Sequence, residues 1–194
     1  MIEELELYGE VGRLMVANEI DSAAAVAQKA LRSRDAERFT TLIDYGFTNP
    51  PRVVLKHVND FLAACATRFD VKAVYLNHNG FVFNNDRWYF DSLAYNQVHD
   101  VATNYEWLCA PCSPEWPKFT LTGLEKAQED FRWYVTEELF EDKAWEMAAE
   151  IAELLLKVRF AQLIEQSLAA GKLIIPVPVF TTAYGFDFFC RFDP

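Results

Sequence analysis

The fold turns on residues 71–91, VKAVYLNHNGFVFNNDRWYFD. Val71 to Leu76 is a β-branched and aromatic run of the kind that suits a pleated, half-buried strand. Asn79-Gly80 is a strong tight-turn signal, and Phe81-Val82-Phe83 follows at once, which predicts a hairpin. A second polar turn, Asn84-Asn85-Asp86, leads into Arg87-Trp88-Tyr89-Phe90-Asp91 as a third strand. The segment reads as an antiparallel meander.

Toward the amino terminus the period changes to that of helices. Leu5, Tyr8, Val11, Gly12 and Met15 recur at helical spacing, and Asp21-Ser22 caps an Ala-rich helix ending near Arg32. A short helix starting near Asp35 carries Phe39, Leu42 and Ile43 and stops near Gly46. Pro51 suits the first turn of the next helix, with Val54, Val58, Phe61, Leu62 and Cys65 as its apolar stripe.

Toward the carboxyl terminus, Pro111, Pro114 and Pro117 make 92–118 a structured loop. Thr120 or Thr122 caps a helix carrying Leu124, Gln128, Phe131 and Val135, and a longer, central helix runs from about Phe140 to Ala170, with Gly171 as its stop. Ile174 to Thr181 and Phe186 to Phe192 flank Tyr184-Gly185 as a closing hairpin at 174–192. Pro176 and Pro178 make its first strand an edge strand or one that begins late. About five antiparallel strands packed on helices define one α+β domain over 1–194.

The chain of 194 residues is 52% hydrophobic and 15% aromatic, ample apolar surface to offset the entropy of ordering it. Lys and Arg number 18 against 29 Asp and Glu, so the net charge is −11. That field repels phosphate and argues against nucleic-acid partners and anionic membrane surfaces, while favouring encounter with a basic protein. The acidic start, Met1-Ile-Glu-Glu-Leu-Glu6, lacks the basic and apolar segments of a signal peptide. The apolar stretch 144–168 is interrupted by Glu146, Glu150, Glu153, Lys157, Arg159 and Glu165, which a bilayer-spanning helix does not tolerate. Four Cys are too sparse for a disulfide scaffold. Together these features predict a cytoplasmic protein, monomer or homodimer, that needs no cofactor.

Few residues suggest chemistry. Cys109-Ala-Pro-Cys112 has the spacing of a redox-active or zinc-binding pair. With Trp107-Leu108 before it, the order resembles the thioredoxin active site, but the Trp spacing differs and Ser113-Pro114-Glu115-Trp116-Pro117 follows in place of a long helix. A complete zinc site requires two more ligands from Cys65, Cys190, His57, His78 and His99, none of which forms a second close pair. Carboxylates gather at Glu137-Glu138, Glu141-Asp142 and Glu146, Glu150 and Glu153; a general acid–base pair is conceivable there. The three-to-four-residue spacing of Glu146, Glu150, Glu153 and Lys157 reads instead as the solvated stripe of a buried helix. Phosphate-binding loops and a nucleophile elbow are absent.

Three functions follow from these residues. The first is a non-catalytic interaction protein for a basic partner, sharing with bacterial immunity proteins, which neutralise toxins, a profile of α+β fold, negative charge and no catalytic motif. The likeness is one of profile, not of motif. The second is an enzyme whose scattered site draws on Arg87, Asp91, Tyr95 and His99. The third is a metal- or redox-linked protein using Cys109 and Cys112.

Overall fold

Two corners at which the chain leaves helical geometry set the arrangement of the amino-terminal half. In the computed structural model, residues 2–34, 38–80, 82, 84–101, 104, 106–183 and 190–194 are described, apart from the side chains of 2–5 and 183. Helix α1 (Ile2–Val16) ends at Asn18, whose φ of 58° suits a short polar side chain, and α2 (Ile20–Arg32) turns back along it. Ile20, Ala23, Ala24, Ala27 and Leu31 form the buried stripe of α2. Its small alanines let it lie close along the central helix. The second corner is Phe39, buried at φ 65°, whose N–H donates to the buried Asp130 carboxylate at 3.1 Å. Lys126 and Arg38 complete the shell of that carboxylate, which thereby joins two distant segments.

Helix α3 (Thr41–Asp44) is a single turn, shorter than the spacing of Phe39, Leu42 and Ile43 suggests, and Asp35 to Glu37 lie outside the described residues. Helix α4 (Pro51–Ala66) has Pro51 in its first turn, and all five residues of its predicted stripe are buried. Helix α5 (Glu125–Thr136) starts later than Thr120 or Thr122 implied. Asn49 is the reason: it donates to the Thr120 carbonyl at 3.0 Å and accepts from Thr122 N–H at 2.9 Å, drawing 119–122 into extended structure. Gly123 (φ 102°) then turns into α5, and a Cβ there would meet the Thr48 backbone nitrogen at 2.7 Å. Helix α6 (Lys143–Ala169) is central as expected, with 14 buried residues from Ala148 to Ser167.

Strands β1 (Ala73–His78), β2 (Tyr89–Tyr95), β3 (Phe119–Thr120), β4 (Val179–Ala183) and β5 (Cys190–Phe192) form one mixed sheet in the order β3-β2-β1-β4-β5. Helices and sheet make an α+β fold. The antiparallel unit exists, but its members differ from the predicted meander. Its strands are β1, β2 and β3, with His78 opposite Phe90 and Ala73 opposite Tyr95. Val82 lies in the connecting turn, and Phe81 and Phe83 lie outside the described residues. Asn79 decides this: its side chain accepts from Tyr89 N–H and donates to the Arg87 carbonyl, each at 3.0 Å, so residue 79 pairs with 87–89.

The carboxyl-terminal strands pair antiparallel as predicted, Val179 opposite Phe192, while Tyr184, Gly185, Phe186, Asp187 and Phe188 lie outside the described residues. Strand β4 begins late, after Pro178, and it is not an edge. It lies parallel to β1, Leu76 opposite Thr181, so the five strands are not all antiparallel. The long connection through α5 and α6 supplies the crossover that parallel pairing requires.

Alternation gives the sheet two different faces. Val74, Leu76, Phe90, Ala94 and Val179 join the main core with the helices. Ala73, Tyr75, Tyr95 and Phe180 point the other way and are covered by Trp107, from the 3-10 turn 106–109, with Leu93, Val101 and Leu108 around it.

Candidate functional site

The outer sheet face is where the suspects Arg87, Asp91, Tyr95 and His99 fall, and the structure separates them. Asp91 stands opposite Asn77 across the β1–β2 ladder, and Thr182 is opposite Asn77 on the other side, a polar row across three strands. Arg87 lies before β2, its guanidinium carbon 5.4 Å from the Tyr89 ring centroid. Lys118, absent from the sequence reading, approaches the same ring to 4.1 Å and donates to Tyr89 Oη at 2.7 Å. Its place before β3, the partner of β2 at Tyr89, brings it there, a pairing invisible across 29 residues of chain.

Tyr95 and His99 lie at the other end of that face, under and beside the covering loop. Tyr95 is fully buried, donates to the Leu108 carbonyl at 2.8 Å and packs 4.8 Å from Trp107. Burial pushes its phenol above the ordinary range, so it serves as a support for the covering loop. His99 is exposed beside Gln97 and 6.2 Å from Trp107.

Cys109 and Cys112 are exposed free thiols in the same covering loop, and Cys112 N–H donates to the Ala94 carbonyl at 2.9 Å. Among the described residues no group of three His, Cys, Asp or Glu is placed to hold a metal ion. Cys65 and Cys190 are buried, and burial raises their thiols to about 11 and about 12, far from thiolate reactivity.

The stripe predicted along α6 does not stay in solvent. Glu146 and Glu150 are exposed and Glu153 is half-buried, whereas Lys157 is 2% exposed, with Nζ 3.3 Å from Glu153 Oε1. Burial pushes this ammonium down to about 7. His78, also buried, accepts from Gly80 N–H at 3.1 Å and is held well below its ordinary range by burial and then by Lys157. From Ile151 to Ile164 no residue of α6 is exposed, and a helical period alone does not reveal where solvent stops.

The remaining carboxylates gather at the corner between α5 and α6. Glu137, Glu138, Glu141, Asp142, Glu146 and Glu150 are all exposed there, Glu146 and Glu150 acting on Tyr134, and Phe140 is 48% exposed. Aromatic contacts brace the corner. Phe140 meets the Tyr134 ring edge-on at 6.1 Å, Trp133 meets Trp145 at 5.0 Å, and the Arg38 guanidinium lies 3.9 Å over Trp133. Asp142 caps α6, accepting from Ala144 N–H at 2.9 Å.

Two residues of this corner oppose local stability. Glu137 and Glu138 sit at the carboxyl end of α5, where the helix dipole favours cations. Glu138 also adopts φ 53°, the left-handed geometry in which glycine usually ends a helix. The sequence signal was present in the run Glu137-Glu138-Leu139-Phe140-Glu141-Asp142, an aromatic flanked by acids on both sides.

Elsewhere, a concavity of about 590 Å³ lies beyond the end of α6, its rim carrying both signs through Glu165, Asp193 and Lys172. Among the described residues no helix is long and apolar enough to cross a membrane. Comparison with known proteins finds no matching family model, no matching curated protein and no matching solved structure.

Proposed function

We propose that this chain is a non-catalytic interaction module of a bacterial cytoplasm, of the toxin-neutralising kind, which binds a basic protein through the α5–α6 corner. The observation that carries the reading is the pair Glu137 and Glu138, which occupy a helix end that favours the opposite charge. Residues that break a local rule without a stabilising return are the ones best accounted for by function. Phe140 supplies an aromatic contact at the centre, and the surrounding carboxylates supply a field that steers a basic partner and selects it. The interlocked rings beneath keep the corner ordered before binding, so little entropy is lost on association.

The test uses the wild-type chain and a Glu137→Lys, Glu138→Lys, Glu141→Lys variant as baits in lysate of the source organism, at low and moderate salt. A single basic protein held by the wild type, weakened by salt and lost by the variant supports the reading. Circular dichroism checks that the variant is folded. Equal retention of the same partner by the folded variant would exclude the corner as its binding site. With the purified partner, Phe140→Ala costs about 2 kcal/mol, roughly thirty-fold in Kd.

A further inference from the structure

On the sheet edge at β3, two cations converge on one tyrosine, with Asp86 on the rim and the field of Asp91 reaching Lys118. Arg87 and Lys118 both lie against the Tyr89 ring, and a concavity of about 380 Å³ opens over them, bounded also by Asn79, Asn84 and Asp86. Among the described residues neither Arg87 nor Lys118 forms an ion pair. Two like charges at one ring repel each other, and the arrangement gains stability from an anion placed between them.

The donors available to that anion can be counted. Asn79 Nδ2 gives one N–H to the Arg87 carbonyl and Asn84 Nδ2 gives one to the Asn79 carbonyl, so these carboxamides brace the loop and each keeps a second N–H. Tyr89 Oη accepts from Lys118, which leaves its own proton to donate. The Tyr89 hydrogen bond, and then the field of Asp91, hold Lys118 protonated. Arg87 offers a planar fork, Lys118 a point charge and Tyr89 a hydroxyl, all donors. Asp86 on the rim and Asp91 near Lys118 offset much of this positive charge and disfavour a dianion.

We propose that Arg87, Lys118 and Tyr89 form a binding site for a singly charged oxyanion of the carboxylate class, distinct from the acidic corner. A free organic acid and the terminal carboxylate of a peptide share this chemistry. The site is tested by two-dimensional NMR of the 15N-labelled chain, titrated at fixed ionic strength with sodium acetate, acetyl-Gly-Gly with a free carboxyl end, sodium phosphate, or sodium chloride as control. Saturable shifts with acetate at amides 79, 86–90 and 118, weakened at least ten-fold in an Arg87→Gln, Lys118→Gln variant, establish the site. Both side chains are exposed, so the variant keeps the fold, and Arg87→Lys should bind with intermediate strength because it lacks the fork. Tighter binding of acetyl-Gly-Gly than of acetate identifies a peptide end as the source, and equal binding identifies a small acid. Shifts no larger than those with chloride, or unchanged in the double variant, overturn the proposal. Phosphate binding more tightly than acetate overturns the carboxylate assignment.

Discussion

The inner and outer faces of the sheet are made from alternate residues of the same strands, yet they differ in what covers them. Inward, Phe90 is fully buried among Phe119 at 5.0 Å and Phe160 and His57 at 5.7 Å, beneath several helices. Outward, Tyr95 and Phe180 are covered chiefly by Trp107, at 4.8 and 5.6 Å. Beyond that cover the face is half-open and polar, with Asn77, Tyr89 and Asp91 partly exposed. A layer of helices makes the inner face rigid and costly to alter. Among the described residues, one loop covers only part of the outer face.

The largest effect expected is on the inner side. Phe90→Ala should cost about 4 kcal/mol, read as a fall in the urea midpoint, because the surrounding rings cannot close on the cavity. Next comes a gain. Lys157 has its folded-state value depressed from the ordinary 10.5 to about 7, so the unfolded chain holds the proton more tightly between those limits. Stability should therefore rise as pH climbs from about 7 to 10.5, while below 7 the full cost of the buried ammonium is present. Lys157→Met should stabilise the chain by roughly 3 kcal/mol below pH 7, with the gain shrinking to little near pH 10.5. A pH-independent difference between variant and wild type would remove the charge as the cause.

Trp107→Ala should cost less than the inner-face change, about 2 kcal/mol, because the covering loop can settle onto the sheet. Near-UV circular dichroism and denaturant titration read it. Equal losses for Phe90→Ala and Trp107→Ala would erase the distinction between the faces. The smallest effect lies at the acidic corner, where Glu138→Gly should raise stability by about 1 kcal/mol by relieving the left-handed geometry and the dipole, while slowing partner association. A loss of stability would mean that Glu138 is structural.

Part of the fold and of these sites was legible locally. The stripe of α4, the central place of α6 and the late start of β4 follow from apolar period and from proline, which act over a few residues. The carboxylates beside Phe140 were legible as a run, though not as residues opposing their own helix end. The meeting of Arg87 and Lys118 at Tyr89 was not legible, because it depends on β3 lying against β2. Nor was the fate of Lys157, since one charged stripe has the same period whether solvent or protein lies opposite.

The amino-acid order by itself therefore established the α+β class, the strongly acidic balance and most helices, since apolar period, proline placement and charge are short-range properties. Tertiary packing chose the partner of β1, the parallel entry of β4, the burial of Lys157 and the meeting of two cations at Tyr89. Each of these depends on contacts between segments far apart in sequence, which are selected by the shared burial of apolar faces and by side chains such as Asn79 and Asn49 that satisfy distant backbone groups.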